Sequence, residues 1–234
     1  MNTIECRHIS RSFGEGSSRV EVLKDINFSA SSHEMIMLMG PSGSGKTTLL
    51  SIMGGILRPS EGTCLILGND LASMDGSKLI SFRGAHIGFI FQNFALVPTL
   101  NAIENAALPL LIGGVAREKA FFQAAELLLQ LGLDSQRYRT SYELSGGEQQ
   151  RVAIARACIH KPSVIFCDEP TSFLDRERGI QIMELLRSIK NAFETTIVVV
   201  THDPRILYYA DRILEIEDGR LLSARDKKDT EQSN

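Results

Sequence analysis

Residues Gly40-Pro41-Ser42-Gly43-Ser44-Gly45-Lys46-Thr47 match the pattern G-x-x-x-x-G-K-[ST] at every fixed position. The apolar run Met35-Ile36-Met37-Leu38-Met39 leads into this stretch and reads as a buried strand of a parallel sheet. Thr48-Leu49-Leu50-Ser51-Ile52-Met53 follows and continues as a helix until Gly54-Gly55. A strand, a glycine-rich loop and a helix in that order form a phosphate cradle. Glycines admit backbone angles closed to other residues and let the main chain approach phosphate oxygens. Loop N–H groups and the helix N-terminus supply oriented positive charge. Lys46 reaches β- and γ-phosphates, the Thr47 hydroxyl is a ligand for Mg²⁺, and Thr48 joins the phosphate-facing set. An ordinary Gly/Ser-rich turn accounts for the glycines but not for their register between a strand and a helix.

The rest of the chain alternates strands and helices around that stretch. Residues 4–10 and 20–28 read as strands joined by a polar turn, and residues 63–67 as a further strand. A helix near residues 75–82 precedes a strand at 87–91. From Gln92 to Glu143 no strong strand signal occurs; residues 102–111 and 116–131 read as helices, the second with Ala120, Ala124, Leu127, Leu128 and Leu131 at helical spacing. This segment is either a helical subdomain inserted between strands or a pair of surface helices packed on the main core. The strand pattern resumes at 164–167 and 196–201, separated by a helix at 176–192. Residues 213–216 and 220–222, joined by Glu217-Asp218-Gly219, read as a hairpin. The expected fold is α/β, with a mostly parallel core sheet, an N-terminal antiparallel β region and an inserted helical subdomain. The expected division is a core of residues 1–91 and 160–223, a helical unit of 92–159, and a polar, mobile tail of 224–234.

Composition removes several classes of function. Lys and Arg number 25 against 28 Asp and Glu, so no basic excess points to nucleic acid or to an anionic membrane surface. Cys6, Cys64, Cys158 and Cys167 form no C-x-x-C pair, which suggests half-buried, reduced thiols as in a cytosolic protein. Met1-Asn2-Thr3-Ile4-Glu5 has no basic segment followed by an apolar core, so no signal peptide is expected. No apolar run approaches the roughly 18 residues that span a bilayer. Work on a membrane would therefore need a membrane part supplied by another chain.

Further candidates lie at strand ends. Asp168 and Glu169 close a buried strand, at the sheet edge where ligands bind in open α/β folds. Asp168 is placed to hold Mg²⁺, and Glu169 to accept a proton from attacking water. Leu144-Ser145-Gly146-Gly147-Glu148-Gln149-Gln150-Arg151 places a serine and two glycines before a helix-prone run. Ser145 serves there as an ordinary helix cap, or the helix end is a second phosphate-binding site. A sandwich dimer accommodates two such ends, with Ser145, Gly146 and Gly147 facing the nucleotide held by the partner.

With these motifs in order, the chain resembles an ATP-binding-cassette (ABC) ATPase, a P-loop NTPase family, over nearly its whole length. Gly40 to Thr47 is similar to Walker A, 164–169 to Walker B and 144–149 to the family signature. Gln92 stands in the Q-loop position, Ser172-Phe173-Leu174-Asp175 in the D-loop and His202 at the switch histidine. The resemblance implies ATP and Mg²⁺ as ligands. It implies that Gln92 senses Mg²⁺ and the attacking water, that His202 contacts the γ-phosphate, and that Asp175 touches the other subunit. Phe13 fits the adenine-stacking aromatic, although tyrosine is commoner there and a core phenylalanine is the plain alternative. Phe173 departs from the smaller residue usual in the D-loop.

Phe89-Ile90-Phe91-Gln92, Leu96-Val97-Pro98-Thr99-Leu100 and Thr201-His202-Asp203-Pro204-Arg205 resemble the lipoprotein-releasing and macrolide-exporter ATPases. That subfamily implies a motor subunit at the cytoplasmic face of the inner (plasma) membrane, dimerising on ATP. Its expected partner is an integral-membrane permease, with a periplasmic adaptor reached through that permease. No nucleic-acid partner is expected. A cell-division-type ABC ATPase regulating cell-wall enzymes through a membrane partner is the alternative. Of the large apolar residues around Gln92, namely Phe89, Phe91, Phe94 and Leu96, some belong to the core and several are expected to line a groove for the membrane subunit.

Overall fold

The computed structural model describes residues 2–226. Two sheets share the core. β1 (Asn2–Phe13) and β2 (Val20–Ser31) pair antiparallel, and β4 (Glu61–Ile66) and the short β5 (Asn69–Asp70) extend them into a four-stranded sheet of order β2-β1-β4-β5. The larger sheet has six strands in the order β10-β9-β3-β8-β7-β6. It contains β3 (Met35–Met39), β6 (Ile87–Ile90), β7 (Val164–Asp168), β8 (Thr196–Thr201), β9 (Arg212–Glu217) and β10 (Arg220–Asp226). Five of these strands run parallel, and only β10 turns back. β10 begins where the hairpin was expected but reaches Asp226, so residues 224–226 belong to the sheet rather than to the expected tail. The remainder of that tail, 227–234, lies outside the described residues. Asp218 and Gly219 both take positive φ, 47° and 77°, the two-residue hairpin turn that matches strand twist.

The apolar runs of β3, β7 and β8 have two buried faces because both are covered. Ile36, Leu38, Phe166, Val198 and Val200 face the antiparallel sheet and helix α1 (Lys46–Met53). Met35, Met37, Ile165, Cys167, Ile197 and Val199 face helix α6 (Arg176–Phe193) with Ile182, Met183 and Leu186. A third core joins α3 (Ala102–Ile112), α4 (Arg117–Gln130) and α5 (Gly146–Cys158). In α5, Val152 and Ala155 enter this third core while Ile154, Ala157 and Cys158 pack under the parallel sheet. One helix thus belongs to both units. Helix α2 (Gly76–His86) runs straight into β6.

All four cysteines are free and fully buried rather than half-buried. Cys6 and Cys64 lie opposite each other on β1 and β4 with sulfurs 3.3 Å apart. Their contact and their burial push the Cys6 thiol well above its ordinary pKa.

The loop between β6 and α3 is held by a buried amide. Asn105 accepts from the Val97 N–H at 2.8 Å and donates to the carbonyls of Val97, Leu100 and Asn101. Asn105→Ala is expected to lower the unfolding free energy by about 1–3 kcal/mol, since it removes the four hydrogen bonds of a buried side chain. Denaturant titration would show an earlier midpoint at unchanged slope. A wild-type midpoint would show that the loop needs no side-chain support.

Candidate active site

Because β3, β6, β7 and β8 are parallel, their C-terminal ends meet at one sheet edge. Four loops therefore converge: residues 40–45 after β3, Phe91-Gln92 after β6, Glu169 after β7 and His202 after β8. They enclose a cleft of about 540 Å³. Ser42, Gly43, Gly45, Lys46, Thr47 and Thr48 form one side of it, and Gln92, Glu169 and His202 the other. Val22, from β2, completes the wall. Nothing in the sequence marks Val22 for this role, since it reads as an ordinary strand residue.

The loop conformation requires its glycines. Gly40 has φ +152°, and a Cβ there would sit 2.0 Å from the Ile216 carbonyl oxygen. Gly45 has φ +101° and lies against Val22 and Leu23 of β2. The Lys46 ammonium folds back over the loop and donates to the carbonyl oxygens of Gly40 and Pro41 at 2.8 and 2.7 Å, with the Ser44 hydroxyl at 3.4 Å. Burial lowers the Lys46 pKa, and the nearby Glu169 and Asp168 carboxylates oppose that shift.

Thr47 Oγ1 donates to Asp168 Oδ1 at 3.1 Å, across the gap between α1 and β7. The Asp168 pKa is raised, chiefly by burial and further by Glu169, while the Thr47 bond and Lys46 pull it down. A hydroxyl beside a single carboxylate suits a hard cation that keeps water and phosphate oxygens in its shell. Among the described residues no group of three or more His, Cys, Asp or Glu could hold a metal by itself. The donor set therefore fits Mg²⁺ bound together with a phosphate.

Glu169 adopts a left-handed backbone, φ 46°, that only glycine takes freely. Three bonds hold it there. Its N–H donates to the Val200 carbonyl at 2.9 Å, and its own carbonyl accepts from the Ser172 hydroxyl and amide. Its carboxylate lies between Gln92 Nε2, which donates to Oε2 at 3.1 Å, and His202 Nδ1, 2.8 Å from Oε1. The three residues therefore form one hydrogen-bonded group facing Lys46 and Thr47.

Other expected site residues lie outside this cleft. Phe13 is 42 % exposed at the end of β1, with the Arg11 guanidinium 4.6 Å from its ring centre. Ser145 caps α5 and accepts from the Glu148 amide, and the Ser145 N–H in turn holds the Glu148 carboxyl below its ordinary pKa. Gly146 and Gly147 begin that helix. Asp175 caps α6 through the Arg178 amide. None of these lines the cleft.

A contact no sequence pattern announces lies beside Gln92. Phe94 and Ala95 are consecutive left-handed residues, φ 61° and 48°. Arg156 of α5 clamps them, donating to their carbonyl oxygens at 2.8 and 2.6 Å. The Phe94 ring meets Phe173 edge-on at 6.1 Å. The loop after Gln92 is thereby tied both to α5 and to the segment following Glu169.

A larger groove of about 850 Å³ opens elsewhere, between α2, β6, α3 and α5. Of the apolar residues expected to line such a groove, Phe89 and Phe91 do. Phe94 turns instead to Phe173, and Leu96 packs on the helical core, because the left-handed turn redirects the chain between them.

The chain has relatives among known proteins. The profile of the ABC transporter family matches residues 23–172. The macrolide export ATP-binding/permease protein MacB of Salmonella choleraesuis is 42 % identical over 219 residues, which cover 94 % of this chain and 34 % of that protein. The chain thus spans about a third of the length of that relative. An uncharacterised ABC transporter ATP-binding protein of Escherichia coli K12, YbbA, is also 42 % identical, over 94 % of this chain and 96 % of its own length. Among solved structures, a dimeric ATP-binding cassette in a post-hydrolysis state, bound to ADP and Pi, superposes with a TM-score of 0.89 at 36 % identity, covering 95 % of this chain and 98 % of that one.

Proposed function

The chain belongs to the ABC transporter family, and on that premise we propose that it is the ATP-binding and hydrolysing motor subunit of a membrane transporter of the lipoprotein-releasing or macrolide-exporting type. The observation that carries this reading is the joint placement of Gln92, Glu169 and His202 opposite Lys46 and Thr47 in one cleft. A cradle alone binds a nucleotide; a hydrogen-bonded carboxylate facing it supports hydrolysis.

In this reading the amides of residues 42–47 and the Lys46 ammonium hold the β- and γ-phosphates. Thr47 and Asp168 would hold Mg²⁺, which would supply positive charge against the phosphate oxygens. Glu169 takes the proton of the attacking water, and Gln92 and His202 orient its two carboxylate oxygens. Phe13, with its exposed ring, stacks on the adenine. Ser145, Gly146, Gly147 and Asp175 serve a second copy of the chain rather than their own cleft. The helical unit of residues 92–159 is seated on the remaining core through α5. The dimeric cassette bound to ADP and Pi supports both the ligand and the pairing.

The partner is an integral-membrane permease that docks in the groove beside β6, with a periplasmic adaptor beyond it. The name of MacB joins ATP-binding and permease functions in one protein. No described helix of this chain is long and apolar enough to cross a membrane. A peripheral position on the cytoplasmic face of the inner membrane follows from this assignment. Phosphate release from ATP by the purified chain, alone and with a co-expressed permease, tests the reading; no turnover in either condition would overturn it.

Lys46→Ala is expected to weaken ATP binding about ten- to a hundredfold, the worth of a hydrogen bond to a charged group. Calorimetric titration with ATP and Mg²⁺ reads this directly. An unchanged affinity would remove Lys46 from the phosphate site.

A further inference from the structure

β1 and β4 set two cysteines against each other. Cys6 pairs with Cys64 in the antiparallel register, so both side chains leave the same face of the sheet. Their sulfurs stand 3.3 Å apart. Both belong to the core shared with α1 and are only 3 % and 4 % exposed. Directly opposed residues of an antiparallel pair have Cα atoms about 4.5 or 5.5 Å apart. Either spacing lies within the range that a disulfide spans, about 4.4–6.8 Å. A bond between these sulfurs therefore asks for side-chain rotation and little movement of the strands.

The two thiols differ in access. Cys64 lines a small cavity of about 20 Å³, walled also by Arg58, Pro59, Asp70 and Leu71, and Cys6 does not line it. A space of that size holds a molecule of about the size of water. Arg58 and Asp70 give its wall one charge of each sign, which suits a neutral polar visitor. The contact with Cys64 and burial keep the proton on Cys6, so Cys6 donates and the Cys64 sulfur accepts. Neither thiol lines the nucleotide cleft, and Cys158 and Cys167 line neither the cleft nor this cavity.

We propose that Cys6 and Cys64 form an oxidation site at which a small hydroperoxide joins them in a disulfide, and that the bond fastens β1 to β4. In the first step the Cys64 sulfur attacks one peroxide oxygen and the O–O bond breaks. The Cys64 proton leaves with the far oxygen, as water when the oxidant is hydrogen peroxide, and Cys64 becomes a sulfenic acid. In the second step the Cys6 sulfur attacks the Cys64 sulfur and the S–O bond breaks. The departing hydroxyl takes the Cys6 proton and leaves as a second water. Two thiols thereby lose two electrons, and one peroxide gains them. The cavity selects the oxidant by size: hydrogen peroxide has two heavy atoms, whereas a bulky disulfide such as oxidised glutathione cannot reach Cys64 through it. The closed loop contains the cradle of residues 40–47 and α1, so the bond restricts the unfolded chain over that whole stretch.

The test exposes the full, folded chain to hydrogen peroxide, then denatures it and alkylates the remaining thiols. Two of the four cysteines are expected to resist alkylation, with the peptide carrying Cys6 linked to the peptide carrying Cys64. Dithiothreitol should restore both. Dimedone, which traps sulfenic acids, should label Cys64 in Cys6→Ala and leave Cys6 unlabelled in Cys64→Ala. The oxidised chain should melt about 5–15 °C above the reduced one. Four alkylatable cysteines after peroxide would overturn the site. A link that forms only after denaturation, or that joins Cys158 or Cys167 instead, would do the same. Dimedone on Cys6 and not on Cys64 would overturn the order of attack. Oxidised glutathione acting as fast as hydrogen peroxide would overturn the cavity as the entrance. A lower melting temperature on oxidation would overturn the fastening of β1 to β4. The linkage and melting measurements use the wild-type chain, so they decide the site even where a variant fails to fold.

Discussion

Replacing Glu169 with Gln is expected to lower ATP turnover by about a hundred- to ten-thousandfold, the usual worth of a positioned general base, while ATP affinity stays near wild type. The two side chains have the same length and shape. An amide can still accept the Gln92 donor and still face His202, so the constellation around residue 169 survives the change. What is lost is the capacity to take a proton. The backbone reinforces the separation of binding from chemistry. Residue 169 is held left-handed by Val200 and Ser172 through main-chain atoms, which the substitution does not touch. Single-turnover phosphate release and equilibrium ATP binding, measured on the same protein, distinguish the two effects. Turnover close to wild type would sink the general-base assignment and move the search to His202.

Ser145→Arg protein mixed with Lys46→Ala protein is expected to hydrolyse ATP when neither does so alone. Ser145 lies away from the cleft of its own chain. The cleft contains Lys46, Glu169 and His202, whereas Ser145 and Gly147 open a helix outside it. A γ-phosphate held by Lys46 still has oxygens on its far side, and a helix N-terminus on a second chain can donate to them. Two-fold symmetry then gives two composite sites per dimer. In the mixed dimer both lesions fall in one composite site and the other is whole. Random pairing predicts recovery to roughly a quarter of wild-type activity, if each intact site works independently. In a Glu169→Gln background ATP should drive dimerisation on a sizing column, and Ser145→Arg should prevent it. A mixture as inactive as its parents, with Glu169→Gln monomeric at saturating ATP, would end the shared-site mechanism for this chain.

What was legible in the sequence was what a contiguous run can carry. The loop from Gly40 to Thr47 announces itself because its glycines are needed at fixed positions, and the structure shows why at Gly40, where Ile216 leaves no room for a Cβ. The strands β3, β7 and β8 were legible because burial on two faces forces unbroken apolar runs. Their parallel pairing then brings Gln92, Glu169 and His202 to one edge. The Phe94-Ala95 turn was not legible, since neither residue is one that favours positive φ. Its cause is Arg156, some sixty residues away and indistinguishable in sequence from a solvated arginine. That turn is also why Phe94 and Leu96 leave the groove they were expected to line. The groove itself draws Ile80, Arg83, Ile112 and Arg156 from three helices, a grouping with no local signature. Composition sets the start of the tail at Ala224 for a related reason: pairing with β9, invisible in composition, decides where β10 ends.

The fold of Lys46 over its own loop has a further consequence. Its ammonium already donates to two main-chain oxygens at close range, so it is not an idle cation awaiting a ligand. An incoming molecule must offer this group something better than two peptide carbonyls, and among common acceptors only charged oxygens do so. The loop therefore acts as an internal competitor and sets a floor on ligand charge. A nucleoside, or a monophosphate whose single anionic group stops short of the lysine, leaves the carbonyls in possession. Charged oxygens are thus the acceptors best able to draw this ammonium, with no steric clash needed.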